Sequence, residues 1–405
     1  MKTPRVLLND IIVSDESGFA CSKTKLVENG LIHLRPFNLT NSGQLSLDQI
    51  YKVPPEEAPN GKEMLEEGDI LFNNTNSAEL VGKAALIEQP IKAGFSNHLT
   101  RIRVDQTRVM PQFMAYWFHR TRDIGYFSAQ ATRWVSQAAF KSSELRRMEM
   151  SLPPLEEQHR VVDILSRAEG IVRLRREAQK KAAEIIPALF LDMFGDSATN
   201  PKGWPMATAG DVIVAADYGS SKKASDNVAG VPMIRMGNVD FAGYLKLDDL
   251  KYVELSREDA EHFGLVEGDI LFNRTNSKDL VGKTGIWDGS REAVAASYFI
   301  RVRVARNKVN PFFFWAFMNS AHMKRTLFET ARGAIGQSNI NARELRAFPI
   351  IIPPIDRQDI YEHHCRDVFS IQAQQVNGTE KSEAVFDTLL ARTFNETCGG
   401  THGTE

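Results

Sequence analysis

The heptapeptide Glu-Gly-Asp-Ile-Leu-Phe-Asn occupies residues 67–73 of this chain and occurs again, unchanged, at residues 267–273. The same offset of 200 residues aligns many other positions of the 405-residue chain. Matches this numerous at one fixed offset indicate an internal duplication, so the chain is two copies of one unit. The matched positions are 75–77 with 275–277, 80–83 with 280–283, 144–146 with 344–346, the proline pairs 153–154 and 353–354, and Arg35 and Asn38 with Arg235 and Asn238.

The composition is typical of a soluble, folded protein, with 42% apolar and 25% charged residues and a net charge of −2. No apolar run approaches the roughly 18–20 residues that a membrane span needs, and residues 1–10 lack a signal-peptide stretch. The three cysteines, Cys21, Cys365 and Cys398, are too scattered for a disulfide framework or a zinc ribbon. We therefore expect a cytoplasmic protein with no membrane partner.

Charge is distributed unevenly along the chain. Lys and Arg outnumber acids in residues 120–147 and 160–181, whereas residues 56–69 are acidic. Local charge is what a phosphate backbone encounters, so a nearly neutral chain can still present basic faces to DNA. For either basic stretch taken alone, a solvated helix face is the simpler explanation.

Each copy has two parts. The first, about 150 residues long, contains short strands such as residues 70–72 and 101–104. Pro111 then opens an aromatic-rich helix over residues 112–120, and Pro311 opens its counterpart over 312–319. The proline pairs end this part.

The second part of each copy is a long helix. Apolar residues at alternating steps of three and four predict a coiled-coil seam, and two such helices would form a rigid spacer between two globular domains. We expect Pro187 to kink the first helix and Gly378 to weaken or bend the second. The predicted seam positions are 164, 168, 171, 175, 178, 182, 185 and 189 in the first copy, and 361, 364, 368, 371, 375, 378, 382, 385 and 389 in the second.

Three catalytic or ligand-binding motifs are only partly present. The segment Gly282-Lys283-Thr284 resembles the end of a phosphate-binding loop, but the earlier glycine is replaced by Ser277. The proline pairs resemble part of the tetrapeptide of adenine methyltransferases, but Leu152 and Ile352 precede them and offer no side-chain acceptor. In residues 362–365, Glu-His-His-Cys, consecutive helical positions point about 100° apart and cannot converge on one metal ion.

A metal-dependent nuclease is one alternative function. Asp69, Glu79 and Lys83 recur as an acid–acid–base set, and such enzymes place two carboxylates on a divalent ion with a lysine near the attacking water. The acid-x-x-x-Lys interval is out of phase with a strand. A simpler interpretation is that Asp69 starts a strand after a turn and that Lys83 contacts phosphate or solvent. The repeated set is Asp269, Asp279 and Lys283.

Recognition of DNA bases is the function that the remaining polar segments favour. Residues 73–77 and 273–277 are dense in amides, hydroxyls and one guanidinium, which are groups that pair with base edges. Such clusters also build turns. Asn74 and Arg274 differ although their neighbours are identical in the two copies, which favours recognition of a different base by each copy. A second polar loop, residues 133–137 and 332–337, follows the aromatic helix and also diverges between the copies.

With these features the chain resembles the specificity subunits of type I restriction–modification systems. The resemblance depends on Gly-Asp-Ile-Leu-Phe-Asn followed by Val-Gly-Lys in each copy, on Gln137 and Gln337 in their loops, and on Leu-Pro-Pro-Leu-Glu-Glu-Gln at residues 152–158. It covers roughly residues 1–396, although residues 356–358, Asp-Arg-Gln, depart from the Glu-Glu-Gln pattern.

The resemblance implies an α+β fold with two similar α/β target recognition domains and two long helices that form an antiparallel coiled coil. Each domain would read one half of a split, asymmetric site in double-stranded DNA, and the helices would bind two DNA adenine methyltransferase subunits and, in a cleaving complex, two restriction/translocase subunits. S-adenosylmethionine, ATP and Mg²⁺ would belong to those partners, and this chain would hold no cofactor and perform no catalysis. The implied segments are residues 1–152 and 197–352 for the domains, 153–196 and 353–396 for the helices, and 397–405 for a flexible tail.

The residues expected to contact DNA follow from these motifs. A third possible function, besides reading DNA and cutting it, is an adaptor or decoy that binds the methyltransferase subunits and no DNA. The candidate DNA-contacting residues are Arg35, Asn38, Asn73, Asn74, Thr75, Asn76, Ser77, Lys83, Arg133, Ser136, Gln137 and Lys141 in the first copy, and Arg235, Asn238, Asn273, Arg274, Thr275, Asn276, Ser277, Lys278, Lys283, Arg332, Gln337, Ser338 and Asn339 in the second.

Overall fold

The structure is a computed structural model that describes residues 3–133, 137–276, 280, 282–330 and 338–394. The chain divides into two compact units, Met1–Arg175 with Gly378–Glu405, and Arg176–Asn377. Each unit therefore contains one of the two repeated domains and half of each long helix. The predicted tail at 397–405 lies outside the described residues.

The first repeated domain is built from short strands around an aromatic helix. Its strands are β1 (Arg5–Leu7), β2 (Ile12–Ser17), β3 (Leu31–Leu34), β4 (Tyr51–Val53), β5 (Ile70–Asn73), β6 (Thr75–Asn76), β7 (Ala84–Leu86), β8 (Ala93–Phe95), β9 (Leu99–Val104), β10 (Thr132–Arg133), β11 (Ala138–Ala139) and β12 (Glu149–Ser151). Its helices are α1 (Pro111–Asp123), α2 (Tyr126–Gln130) and α3 (Ser142–Arg146), and the long helix α4 (Leu155–Phe194) follows.

The second repeated domain uses a similar order of elements, but it has an α-helix where the first domain has a short 3-10 helix, Pro55–Glu57. Its strands are β13 (Met206–Thr208), β14 (Ile213–Tyr218), β15 (Val231–Ile234), β16 (Lys251–Val253), β17 (Ile270–Asn273), β18 (Thr275–Asn276), β19 (Thr284–Ile286), β20 (Val294–Ala295), β21 (Phe299–Val304), β22 (Ser338–Asn339) and β23 (Pro349–Ile351). Its helices are α5 (Arg257–Phe263), α6 (Pro311–Asn319), α7 (Ala321–Thr330) and α8 (Ala342–Ala347), and the long helix α9 (Ile355–Phe394) follows.

The strand pairing repeats with the sequence. One antiparallel sheet has the order β2-β9-β5-β7 in the first domain and β14-β21-β17-β19 in the second. Ile70 pairs with Ile102 in the first, and Ile270 pairs with Val302 in the second. A second sheet, β4-β3-β8 or β16-β15-β20, contains one parallel pair in each domain. The two sequence repeats therefore have the same strand order in both of these sheets.

The repeated heptapeptide forms the central strand of the larger sheet, and both faces of that strand are buried. Ile70 and Phe72 belong to the core that includes α1, where the Phe72 and Phe118 rings lie 5.4 Å apart. Leu71 points to the opposite side, into the smaller core that includes Phe95. An apolar run buried on both faces explains why Ile-Leu-Phe is identical in the two copies.

In the first unit the two long helices pack on each other and on the domain. Val162, Leu165 and Val172 of α4 share one core with Phe386 and Leu390 of α9. The beginning of one helix therefore contacts the end of the other, which is antiparallel packing. In the second unit the same relation holds for Ile186, Phe190 and Phe194 of α4 with Tyr361, Cys365 and Val368 of α9. The predicted fold class, two mixed domains with an antiparallel helix pair, is confirmed.

The predicted helix seam is correct at some positions, such as the buried Ala182, and wrong by one position at others. Ile164, Ile171 and Ile185 are 43%, 51% and 44% exposed, whereas their neighbours Leu165, Val172 and Ile186 are buried. On the second helix Tyr361 and Val368 are buried as expected. His364, Ile371 and Val385 of the predicted seam are exposed instead.

Both residues that we expected to disturb the helices lie inside continuous helix. At Pro187, the missing N–H would have bonded to the carbonyl of Ala183, and the hydroxyl of Tyr244 donates to that carbonyl at 3.4 Å. At Gly378, a Cβ would overlap Nη1 of Arg175. Glycine there accommodates the one polar side chain of the predicted first seam.

A buried glutamine attaches each long helix to its own domain. The amide oxygen of Gln158 accepts from Met110 N at 2.9 Å, and its Nε2 donates to the carbonyls of Arg108 (2.9 Å) and Pro153 (2.8 Å). Gln358 repeats this arrangement, with Asn310 N as the donor to its oxygen. The glutamine that ends the Leu-Pro-Pro motif therefore acts as a structural clamp, which here means that it bonds the start of the long helix to the loop before the aromatic helix. No helix formed by the described residues combines the length and apolarity of a membrane span.

Candidate nucleic-acid interface

The structure brings the two predicted recognition segments of each domain together. In the first domain β6 pairs with β11, which aligns Thr75 with Ala139, and β11 also pairs with β10, which contains Arg133. In the second domain β18 pairs with β22, which aligns Thr275 with Asn339. Segments that are about 60 residues apart in sequence therefore form one small surface ladder in each copy.

Asn74 of the first domain faces its own framework. Its Nδ2 donates to Thr100 Oγ1 at 2.8 Å and to the carbonyl of Asn97 at 3.3 Å, and its Oδ1 accepts from Thr75 Oγ1 at 2.8 Å. The amide is half-buried, and both its donor and its acceptor are engaged within the domain.

Arg274, at the equivalent position of the second domain, has different neighbours. Its guanidinium carbon lies 4.5 Å from the centre of the Tyr218 ring, and its Nε donates to Asn339 Oδ1 at 3.2 Å. Thr275 Oγ1 donates to the same oxygen at 3.4 Å. Arg274 and Asn339 were predicted from the sequence, whereas Tyr218 was missed because it comes from a distant strand and carries no motif.

Two predicted asparagines of each domain are buried, and this corrects their assignment as DNA contacts. Asn73 is fully buried and its Nδ2 donates to the carbonyl of Leu80 at 2.9 Å; Asn273 is equally buried. Asn38 accepts from Arg35 N at 2.9 Å and donates to the carbonyls of Ser46 and Gln49. Asn238 repeats the Asn38 pattern. Because these amides are buried, they are inaccessible to base edges.

The predicted lysines Lys83 and Lys283 are also buried rather than directed at phosphate. The Nζ of Lys83 donates to the carbonyl of Leu39 at 3.0 Å, and that of Lys283 to the carbonyls of Met236 and Val239 at 2.7 and 2.6 Å. Burial lowers the pKa of both amines. Each lysine links the loop after the repeated strand to the 3-10 turn that follows Arg35 or Arg235.

The other predicted residues have mixed environments. Arg133, Gln137 and Lys141 are exposed at or beside the first ladder. Arg35 stacks on the Tyr51 ring and Arg235 contacts Asp249, so both are partly engaged. Asn76 and Ser77 are half-buried. Ser136, Ser277, Lys278, Arg332 and Gln337 lie outside the described residues, as do the side chains of Asn276 and Ser338.

The acid–base set of the nuclease alternative is not assembled as a catalytic site. The Asp69 carboxylate is 1% exposed and accepts from Arg103 Nε at 2.6 Å, Arg103 Nη2 at 3.1 Å and Glu66 N at 2.9 Å. Asp269 and Arg303 repeat this pair. Asp69 is thus neutralised by arginine, while Lys83 is bonded elsewhere. Asp279, the repeat of Glu79, lies outside the described residues.

The comparisons with known proteins agree with this architecture. The family model for the type I restriction modification DNA specificity domain matches residues 10–184 and again residues 201–362. The EcoKI specificity subunit of Escherichia coli is 20% identical over 382 residues, which is 89% of this chain and 81% of that protein. The StySPI specificity subunit of Salmonella potsdam is 22% identical over 383 residues, with the same coverage.

Another relative, the putative MjaX specificity subunit of Methanocaldococcus jannaschii, is 27% identical over 160 residues, which span 39% of this chain and 37% of that relative. Among solved structures, the S subunit of the type I system of M. genitalium has a TM-score of 0.55 at 12% identity and covers 96% of both chains. A second chain, solved in work on complex assembly and conformational transition of the type I system, has a TM-score of 0.55 at 17% identity and covers 97% of this chain and 98% of that one. These structures share the fold. With the family model matched twice, the chain belongs to the family of type I restriction–modification DNA specificity subunits.

Proposed function

We propose that this chain is the DNA-reading subunit of a type I restriction–modification complex and performs no catalysis itself. Each repeated domain reads one half of a split, asymmetric site in double-stranded DNA. The observation that carries the proposal is that one scaffold, whose two larger sheets have the same strand order in both copies, bears different side chains at the surface ladder. Asn74 is hydrogen-bonded within its own domain, whereas Arg274 stacks on Tyr218 beside Asn339. A constant framework with variable polar groups suits two readers of different sequences.

The split site follows from having two readers on one chain. The separation between the half-sites would be set by the helix pair rather than by base contacts, as dimeric DNA-binding proteins fix the spacing of their half-sites. Lengthening α4 after Leu155 by about four residues, one helical turn, should therefore alter the gap in the recognised site.

The helices also provide a surface for protein partners. In the first unit, Ile164, Ile171 and Leu174 on α4 are 43–59% exposed, and Val385 on α9 is 56% exposed. Rows of half-exposed aliphatic side chains at helical spacing are typical of protein interfaces. We assign this surface to two DNA adenine methyltransferase subunits and, in the cleaving form of the complex, two restriction/translocase subunits. S-adenosylmethionine, ATP and Mg²⁺ would be held by those subunits, in the cytoplasm.

The nuclease alternative receives no support from the site geometry, because Asp69 and Lys83 are each hydrogen-bonded within the fold to different partners. The purified chain incubated with plasmid and Mg²⁺ or Mn²⁺ tests it directly. Cutting that is abolished by Asp69→Ala would overturn our assignment.

The main experiment is methylome sequencing of cells that express the chain with its methyltransferase subunits, compared with cells that lack the chain. We expect methylated adenines in one split, asymmetric motif. Exchanging residues 1–150 for the corresponding domain of another family member should change one half of that motif and leave the other half intact. A change in both halves would contradict independent reading. Assembly with the methyltransferase and no DNA binding would identify an adaptor or decoy.

A further inference from the structure

The two domains differ in a coordinated way around one position of the surface ladder. The strand registers establish which residues correspond: Ser17 pairs with Thr100 as Tyr218 pairs with Ile300, and Thr75 pairs with Ala139 as Thr275 pairs with Asn339. Around the variable position after the conserved strand, the first domain therefore has Ser17, Asn74, Thr100 and Ala139, and the second has Tyr218, Arg274, Ile300 and Asn339.

In the first domain the polar side chains of this set form hydrogen bonds within the domain. The Thr100 hydroxyl accepts a hydrogen bond from Asn74, and Ser17 Oγ donates to the carbonyl of Asn97, which also accepts from Asn74. The amide of Asn74 is held within the fold, so the first domain presents no free donor pair at this point.

In the second domain the same set places a cation beside a partly exposed aromatic ring. Ile300 removes the acceptor that Thr100 provides, Tyr218 supplies a ring 44% exposed, and Asn339 supplies an exposed amide oxygen. Arg274 lies over that ring at 4.5 Å, and its Nε donates to Asn339 at 3.2 Å. Within the described part of the chain, neither Nη1 nor Nη2 of Arg274 makes a hydrogen bond.

This geometry has a specific binding chemistry. An arginine stacked on an aromatic ring and bonded through Nε has lost much of its rotamer freedom before it meets a ligand. Its two Nη groups then form a coplanar pair of donors. Such a pair matches the two acceptors, N7 and O6, that only guanine presents in the major groove.

We propose that Arg274, positioned by Tyr218 and Asn339, reads a guanine in the half-site of the second domain, and that Asn74 does not read a base in the first. The proposal rests on the function proposed above and adds the identity of one base. Tyr218 is a positioning residue, because it acts on DNA through Arg274.

The test uses the full chain expressed with its methyltransferase subunits, with methylated sites mapped across a genome free of other adenine methylation. The exchange of residues 1–150 shows which half of the motif belongs to the second domain. We expect that half to contain a guanine, and Arg274→Gln to lower discrimination for that guanine by about 5- to 150-fold. The other half of the motif, read in the same data, is the internal control.

Variants of Tyr218 separate positioning from simple folding. Tyr218→Phe keeps the aromatic face and should retain the guanine preference, whereas Tyr218→Ala should relax the preference at that base alone. A combined variant with Tyr218→Ser, Arg274→Asn, Ile300→Thr and Asn339→Ala should remove the preference, because it gives the second domain the residues that the same scaffold holds in the first domain. This combined variant is informative even where a single variant fails to fold.

The outcomes are distinguishable from failure of the proposed function. A wild-type complex without any split motif would overturn that function. A split motif with no guanine in the second domain's half would overturn only the guanine assignment. That assignment also fails if Arg274→Gln weakens methylation equally at all sites, as loss of a phosphate contact would, or if Tyr218→Ala and Tyr218→Phe behave alike.

Discussion

The buried pair of Asp69 and Arg103 offers a quantitative test of the structural role that we assign to Asp69. In Arg103→Met the Asp69 carboxylate stays buried and keeps only the bond from Glu66 N at 2.9 Å. Breaking a fully buried ion pair costs about 3–5 kcal/mol. Because the Arg103 side chain is itself 34% exposed, we reduce the expected loss of unfolding free energy to about 2–4 kcal/mol.

The reverse substitution should cost less. In Asp69→Asn the bond from Glu66 N can persist, and Arg103 keeps the Glu66 carboxylate at 3.0 Å with part of its side chain in water. We expect a loss of about 1–2 kcal/mol. In the double variant no buried carboxylate remains, so its loss should be smaller than the sum by about 1–3 kcal/mol of coupling.

Hydrogen–deuterium exchange in increasing urea, followed on peptides of β5 and β9, measures these free energies in the first domain without assuming that the whole chain unfolds at once. The matched pair Asp269 and Arg303, 2.7 Å apart, should give the same pattern on β17 and β21. Additive effects, or an Arg103→Met loss under about 0.5 kcal/mol, would refute the buried-pair argument.

Three further predictions concern the helices and one lysine. Ile171→Ala should change the unfolding free energy by under about 0.5 kcal/mol, whereas Val172→Ala should lower it by about 2 kcal/mol; equal effects in urea titrations would reject the observed seam. Gln158→Leu leaves three backbone groups unpaired, so it should cost about 2–4 kcal/mol by the same assay, and a neutral result would show that the clamp is dispensable. Burial, with Lys283 nearby, lowers the pKa of Lys324 from 10.5 to about 8. Competitive acetylation should therefore titrate Lys324 near pH 8. Because the unfolded chain binds more protons at this lysine between pH 8 and 10.5, Lys324 should contribute a rise of up to about 3 kcal/mol to the free energy of unfolding across that window. Lys324→Met should remove this contribution, and an acetylation midpoint near 10.5 would contradict the prediction.

Much of the architecture could be predicted because the duplication is visible at the level of single residues. The aromatic helices begin at Pro111 and Pro311 as expected, and each long helix starts directly after its proline pair, at Leu155 and Ile355. Proline at the first turn of a helix and paired prolines before a helix are local signals, which need no knowledge of the tertiary fold.

The seam register could not be predicted because apolar residues occur in adjacent pairs. Ile164 precedes Leu165, Ile171 precedes Val172, and Ile185 precedes Ile186. Both members of each pair fit a three–four spacing. They lie on neighbouring faces of the helix, because consecutive side chains are about 100° apart around its axis. Which row faces the partner helix depends on packing against the rest of the unit, and that information is absent from the periodicity.

The polar candidates failed for a related reason. Asn38, Asn73 and Lys83 have the chemistry of DNA contacts, but the same donors and acceptors satisfy buried backbone groups. Residue type alone does not distinguish these uses. The difference between Asn74 and Arg274 pointed to Arg274, but the sequence did not show that Asn74 is hydrogen-bonded within its own domain. Tyr218 carried no signal until the strands were paired.

The meeting of Arg175 with Gly378 has a consequence for the alignment of the two long helices. The Arg175 guanidinium occupies the space that a Cβ at position 378 would fill. If α9 slipped by one heptad along α4, the side chain of Ile371 or Val385 would lie opposite this guanidinium. A single polar side chain at such a position can dictate the register of helix pairs at the expense of stability. The contact between Arg175 and Gly378 thus favours one alignment of the two helices, because the aliphatic residues of the seam alone would allow several.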